Sequence, residues 1–232
     1  MRDNIFNLPN QVNLLYQILS NAEGKINRDF HELELSQSGK FLPERFADKL
    51  HELVLDQTIN KAQYLLPDYG ITTPTQTLVE SKNGKVILLN LLPETNNILR
   101  SIPFYSCSAS IISEDKIIAA LVTSQNLNYL FWAITGKAQQ QNFKLKASQN
   151  NDISKANYID EAEANSLNFA SNNLSLLFLA AGKLDYIKIN VAELKTVQAA
   201  LFIAEQAGIK YSYAAESKIL TAANSNIFEQ IN

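Results

Sequence analysis

The sequence of 232 residues predicts a layered protein of the α/β or α+β class. Three observations predict this class. Two segments near the N-terminus have helical periodicity, a run of short β-type segments follows, and the second half alternates strands with helices. Helices and sheets in such an order bury their apolar faces against one another, so layers of helices on β-sheets are expected.

The first two elements are predicted to be helices. Val12, Leu15 and Ile18 recur at helical spacing and predict a helix over residues 10–22. A second helix is predicted from Pro43, because proline suits the first helical position, and it should stop before Pro67. The stretch between them, residues 24–42, fits neither pattern.

Strands are predicted next, and short turns separate most of them. The five predicted strands cover residues 77–82, 85–92, 105–113, 116–123 and 129–135. Asn83-Gly84 predicts a hairpin between the first two, because both residues tolerate positive φ. The rest predict an antiparallel meander, followed by a polar crossover over residues 138–157.

The second half is predicted to alternate strands and helices. Gly182 and Gly208 are predicted to end two helices, and Asn190-Val-Ala-Glu193 resembles a capping box that opens the second. The predicted order is a strand at 156–159, a helix at 161–181, a strand at 184–189, a helix over 191–204, strands at 209–214 and 218–222, and a short helix after Asn224. Residues 1–145 and 146–232 are therefore predicted to form two halves of one fused unit.

Composition excludes several classes of function. The net charge of −3 gives no overall basic field, so direct nucleic-acid binding is not expected. The single cysteine, Cys107, excludes an intrachain disulfide or a cysteine zinc site, and its apolar surroundings predict a buried structural thiol. The N-terminus lacks a signal-peptide core and no apolar run could span a bilayer, so a soluble, cytoplasmic protein without membrane contact is expected.

The common catalytic motifs are absent from the sequence. The seven glycines are too scattered for a phosphate-cradling loop, and no serine lies in a nucleophile elbow. His31 and His51 lack partners at metal-binding spacing, and His51 is interpreted as a surface or half-buried helix residue.

Five short segments stand out along the chain. They are Leu66-Pro67-Asp68-Tyr69-Gly70-Ile71, Ile102-Pro103-Phe104, Leu179-Ala-Ala-Gly-Lys-Leu-Asp185-Tyr186, Ala204-Glu-Gln-Ala-Gly208 and Leu220-Thr-Ala-Ala-Asn224. In this order they resemble segments of the inositol monophosphatase family, specifically of its bacterial extragenic-suppressor and antitermination branch. Asn90-Leu-Leu-Pro-Glu-Thr95 falls where the family has DPLDGT. The resemblance covers roughly residues 10–228. It implies an αβαβα sandwich, and it implies that active members hydrolyse phosphomonoesters with Mg²⁺ bound by carboxylates.

The sequence departs from the family at nearly every position where the resemblance places a metal ligand. Asn90 and Pro93 replace the two aspartates of DPLDGT, Glu94 replaces its glycine, and Thr95 is retained. The family's Glu-Glu pair falls on Pro74-Thr75, and its later Trp-Asp falls on Lys195-Thr196. Glu94 is interpreted as a solvated loop residue, which makes a poor cage for Mg²⁺. The prediction is a relict pocket with no catalytic or metal-binding residue, formed by Asn90, Pro93, Glu94, Thr95, Asp185 and Thr196; in the family, Asp185 looks structural.

This pattern predicts a pseudoenzyme that acts as a scaffold or regulatory binding protein without a cofactor. The resemblance implies a homodimer, and it offers transcription antitermination through RNA polymerase and Nus factors as a precedent. Two alternatives remain open. One is an active Mg²⁺-dependent phosphomonoesterase on inositol phosphate or a similar small phosphate ester. The other is a metal-free binder of an anion or sugar phosphate, in which Lys195 faces the ligand.

Overall fold

The computed structural model describes residues 7–35, 44–163 and 166–231. Its first two elements are helices, α1 (Asn10–Leu35) and α2 (Glu44–Leu65). Helix α1 is longer than the predicted 10–22, because Ile26 and Phe30 continue its buried apolar stripe beyond an exposed Gly24. Pro43, the predicted start of the second helix, lies outside the described residues.

Eight strands form the larger sheet, in the order β2-β1-β3-β4-β5-β6-β7-β8. They are β1 (Gly70–Thr72), β2 (Thr77–Val79), β3 (Lys85–Leu91), β4 (Cys107–Ser113), β5 (Lys116–Ser124), β6 (Tyr129–Ile134), β7 (Lys137–Gln140) and β8 (Phe143–Lys144). Consecutive strands from β3 to β8 pair antiparallel, so the predicted meander is confirmed. The predicted crossover at 138–157 is wrong over its first part, where β7 and β8 extend the meander.

The predicted hairpin across Asn83-Gly84 is wrong. The unpredicted strand β1 lies between β2 and β3, antiparallel to β2 and parallel to β3. Gly84 does adopt the positive φ expected of it, +74°. The turn nevertheless leads to β3 without pairing it to β2, because the three residues of β1 occupy that edge of β3. So short a strand leaves almost no periodic pattern in the sequence.

A short helix, α3 (Thr95–Leu99), lies in the first half between β3 and β4. The described residues of the second half form a four-stranded sheet and three α-helices. Its elements are β9 (Tyr158–Asp160), α4 (Asn172–Ala180), β10 (Tyr186–Asn190), α5 (Gln198–Gln206), β11 (Ile209–Ala214), β12 (Ile219–Asn224) and α6 (Ser225–Ile231). The strand order is β11-β12-β10-β9, in which only β9 and β10 are parallel.

Two helices in this half begin later than predicted. Helix α4 starts at Asn172, not near 161, because Ser171 is its N-cap and accepts a hydrogen bond from the Leu174 N–H at 3.3 Å. The predicted capping box at Asn190–Glu193 is wrong as well. Glu193 has extended backbone, and a 3₁₀ turn over Leu194–Val197 precedes α5. The predicted end at Gly182 is confirmed, since its φ is +70° and its N–H bonds to the Leu179 carbonyl.

The elements stack as alternating layers, which confirms the predicted layered fold. Helices α1 and α2 cover one face of the large sheet, α4 and α5 lie between the two sheets, and α6 packs on β11 and β12. Trp132 and Cys107 are buried in the core beneath α1, as predicted for the thiol. Within the described ranges, no helix combines the length and apolar character needed to cross a bilayer.

Candidate functional site

A cavity of about 730 Å³ opens where the two halves meet. Its wall includes residues of α2, the end of β3, the start of α4 and the 3₁₀ turn before α5. Five of the six predicted pocket residues line it, namely Asn90, Pro93, Glu94, Thr95 and Thr196. The Pro74-Thr75 pair lines it too. The motifs that carry the resemblance therefore picked out positions that lie close together in space.

Backbone geometry at the end of β3 turns the chain across the cavity. Leu92 adopts a positive φ of +56°, directly after the strand, and α3 begins three residues later at Thr95. The buried Asn90 donates a hydrogen bond from Nδ2 to the Thr196 carbonyl at 2.6 Å. This bond joins residues that are 106 positions apart in the chain. Asn90 thus connects the first half of the protein to the turn that leads into α5.

Glu94 is buried, so its interpretation as a solvated loop residue is wrong. Only 8% of it is exposed, and its carboxylate points inward. It accepts hydrogen bonds from the Ser106 N–H at 2.9 Å, the Ser106 hydroxyl at 3.2 Å and the Ser171 hydroxyl at 2.6 Å. Burial raises the pKa of Glu94 to about 7, although these hydrogen bonds oppose the shift. The carboxylate therefore ties the β3–α3 loop to the start of β4 and the cap of α4.

Asp185 lies elsewhere, so its inclusion in the relict pocket needs correction. It is buried and accepts a hydrogen bond from the Ser148 hydroxyl and another from the Asn157 N–H at 2.7 Å. It is not among the residues that line the cavity. These contacts hold the segment before β9 against the start of β10, which fits the structural role that the resemblance implied.

Solved structures supply a comparison for this arrangement. The extragenic suppressor protein SuhB from Bartonella henselae matches with a TM-score of 0.81 and 18% identity, over 94% of this chain and 96% of that one. Inositol monophosphatases from Anabaena and from Thermotoga maritima each match with a TM-score of 0.76, at 13% and 14% identity, over 94% of this chain and 92% of theirs. The chain has the inositol monophosphatase fold. No family model and no curated protein matches the sequence itself.

Several residues that line the cavity of this inositol monophosphatase fold were missed from the sequence. His51 of α2 is half-buried, as predicted, but its position in the wall of the cavity was not predicted. Asn172 and Asn173 line it from the start of α4, a stretch that the sequence analysis had placed inside a longer helix. Lys195, which one alternative placed toward the ligand, is exposed and does not line the cavity. Ser171, followed by Asn172 and Asn173, is a typical N-cap pattern and could have predicted the start of α4.

The donor set does not fit a magnesium cage. Mg²⁺ takes octahedral oxygen ligands and is held in proteins through carboxylates. Glu94 and Glu161 are the two carboxylates that line the cavity within the described part of the chain. The carboxylate of Glu94 accepts hydrogen bonds from three donors on Ser106 and Ser171. The carboxylate of Glu161 accepts one from the Asn190 N–H at 2.7 Å. Among the described residues, no group of three or more His, Cys, Asp or Glu side chains is placed to hold a metal ion.

Proposed function

We propose that this chain is a non-catalytic binding protein built on the inositol monophosphatase fold. One observation carries the proposal. The cavity keeps a volume of about 730 Å³, yet the positions where the resemblance places carboxylates hold Pro74, Thr75, Asn90, Pro93 and Thr196. None of these five side chains carries a charge. The scaffold is retained while the negative charge that metal-assisted hydrolysis requires is missing.

Glu94 does not replace the missing charge. A carboxyl group that balances the charge of Mg²⁺ must be ionised and free to point at the metal, whereas the Glu94 carboxylate points into the protein and is held by Ser106 and Ser171. Its pKa of about 7 means that it binds a proton readily near neutral pH. Burial disfavours the charged form of this acid, so a proton competes with Mg²⁺ for it at pH 7 and below.

We expect no hydrolysis of inositol phosphate or of a panel of small phosphomonoesters in the presence of Mg²⁺ or Mn²⁺. Calorimetric titration of the protein with Mg²⁺ at pH 8 should show no saturable binding. The double variant Asn90→Asp, Pro93→Asp serves as a matched positive control, because it restores two carboxylates to the cavity and should produce measurable Mg²⁺ binding. Turnover by the natural chain that Glu94→Gln abolishes would contradict the proposal, since Glu94 would then be part of a working metal site.

The partners implied by the resemblance are also part of this proposal. They are a second copy of the chain and components of the transcription machinery. Recovery of the tagged protein from bacterial extract without RNA polymerase or Nus factors would contradict the second partner, and a monomer mass by analytical ultracentrifugation would contradict the first.

A further inference from the structure

Three asparagines in the cavity use an amide hydrogen inside the protein. Nδ2 of Asn90 donates to the Thr196 carbonyl at 2.6 Å, Nδ2 of Asn172 to the Asn190 carbonyl at 2.8 Å, and Nδ2 of Asn173 to the Ser106 hydroxyl at 3.3 Å. Each amide then offers a ligand a carbonyl oxygen with two lone pairs but a single remaining N–H. Acceptors are therefore in excess at this wall.

The threonine hydroxyls in the cavity add to this excess. Oγ1 of Thr95 donates to the Leu92 carbonyl at 3.1 Å, and Oγ1 of Thr196 donates to the Glu193 carbonyl at 2.7 Å. A hydroxyl has one hydrogen, so these two side chains can offer a ligand lone pairs only.

Asn173 provides an independent indication of a ligand. Its side chain is 1% exposed and lines the cavity, and no donor within the described residues reaches its Oδ1. Buried polar atoms in proteins are nearly always hydrogen-bonded, and an exception calls for a partner. The partner that suits a carbonyl oxygen is a hydrogen-bond donor.

The charges in the cavity favour a cation over an anion. The carboxylate of Glu161 lines it, and so does the side chain of His51, whereas no lysine or arginine does so in the part of the chain that the structure describes. Pro93 also removes one backbone N–H from the loop that crosses it. A phosphate here would meet acceptors and the Glu161 carboxylate without a lysine or arginine to compensate its charge. An ammonium group has three N–H donors and no acceptor, which complements this wall.

We propose that the cavity binds an organic primary ammonium ligand, such as an amino sugar or a small polyamine, through the carbonyl oxygens of Asn90, Asn172 and Asn173 and the carboxylate of Glu161. Its volume of about 730 Å³ suits a small molecule of this kind and exceeds what a lone inorganic cation needs. The inference rests on the proposed function, because a bound magnesium ion would repel an ammonium group.

The test compares three ligands with the same carbon skeleton and different charge. Glucosamine, glucose and glucose 6-phosphate are titrated into the full chain by calorimetry at pH 7.5 without metal ions, and spermidine is titrated as a second amine. Glucosamine is expected to bind at least tenfold more tightly than glucose, which is the difference of about 1.4 kcal/mol expected for one charge-assisted hydrogen bond. Glucose 6-phosphate is expected to bind more weakly than glucose.

Two variants locate the interaction, and a third is the control. Glu161→Gln keeps the shape of an exposed side chain and removes its charge, so it should weaken amine binding about tenfold and leave glucose unchanged. Asn173→Ala removes the unpartnered acceptor and should weaken it by a similar factor. Asn151→Ala changes an exposed asparagine that does not line the cavity and should have no effect.

Tighter binding of glucose 6-phosphate than of glucosamine would overturn this inference, and so would an absence of binding by both amines. Neither result touches the proposed function. Saturable Mg²⁺ binding or turnover in the separate assay would overturn the proposed function, whatever the amines do.

Discussion

Replacing Glu94 with glutamine is expected to remove about 3 kcal/mol of the loss in unfolding free energy that the natural protein undergoes between pH 4 and pH 8, because its pKa rises from 4.5 to about 7 on folding. Near pH 4 the substitution should cost about 1–3 kcal/mol, because the Ser106 N–H then loses its carboxylate acceptor and faces the amide nitrogen of glutamine. Glutamine keeps the shape of the protonated acid, and its one oxygen can accept from the hydroxyls of Ser106 and Ser171. It cannot carry the buried charge that destabilises the natural protein at high pH.

The sign of this pH dependence follows from the direction of the shift. The pKa of Glu94 rises from 4.5 to about 7 on folding because of burial. Between these two values the folded chain holds a proton that the unfolded chain has released, so stability falls as pH rises from about 4.5 to about 7. Below that window both states are protonated, and above it the loss is complete.

Urea unfolding at several pH values between 4 and 8 measures the effect. The natural protein should lose stability across the window, and Glu94→Gln should lose less. Glu23 of α1 contributes in the same direction, since burial raises its pKa to about 7 against a hydrogen bond from Thr123. Part of the slope should therefore persist until Glu23→Gln is added. Glu216→Gln, at an exposed site, is the control, and equal slopes for it and Glu94→Gln would contradict the prediction.

Gly182→Ala is expected to destabilise the protein by about 2–4 kcal/mol. Gly182 has a φ of +70°, which is unfavourable for a residue with a side chain. A Cβ atom would also lie 3.0 Å from the carbonyl oxygen of Lys146 and 3.3 Å from the backbone N of Ser148. Backbone atoms cannot rotate away, so the segment after β8 would have to shift.

Substitutions at two other glycines distinguish the cost of a positive φ from the cost of close contacts made by an added Cβ atom. Gly84 has a similar φ of +74° with nothing within 4 Å of an added Cβ, so Gly84→Ala should cost only about 1–2 kcal/mol. Gly24 lies in the middle of α1 with open space around it, and Gly24→Ala should stabilise the protein by about 0.5–1 kcal/mol. Thermal and urea unfolding of the three variants give the comparison. Equal losses for Gly84→Ala and Gly182→Ala would show that the contact with Lys146 contributes nothing.

The elements that sequence predicted well are those with local causes. Strands β4 to β6 have alternating or continuous apolar runs with short polar turns between them, and the structure places them within a few residues of the prediction. Strand β1 was missed because three residues carry no periodicity. The start of α4 was misplaced because an apolar pattern outweighed the local hydrogen bond of Ser171.

The features of the candidate site also fall into those with a local cause in the sequence and those that depend on distant segments. Its location was predicted from the order of motifs, and Asn90, Glu94 and Thr196 do line one cavity. The inward direction of Glu94 could not be predicted, because it depends on Ser106 and on Ser171, which is 77 residues away. Contacts between distant segments, such as the hydrogen bond from Asn90 to Thr196, also decide which polar groups face the cavity.

The two ends of the large sheet affect how copies of this chain can meet. Its outermost strands, β2 and β8, have three and two residues, whereas β5 inside the sheet has nine. A long exposed outer strand offers unpaired N–H and C=O groups on which a strand of another molecule can add, and that is a route to aggregation. These short ends offer few such groups. At high concentration the large sheet is therefore protected against edge-to-edge growth into fibrils, and contacts between copies on this side must use helices or loops.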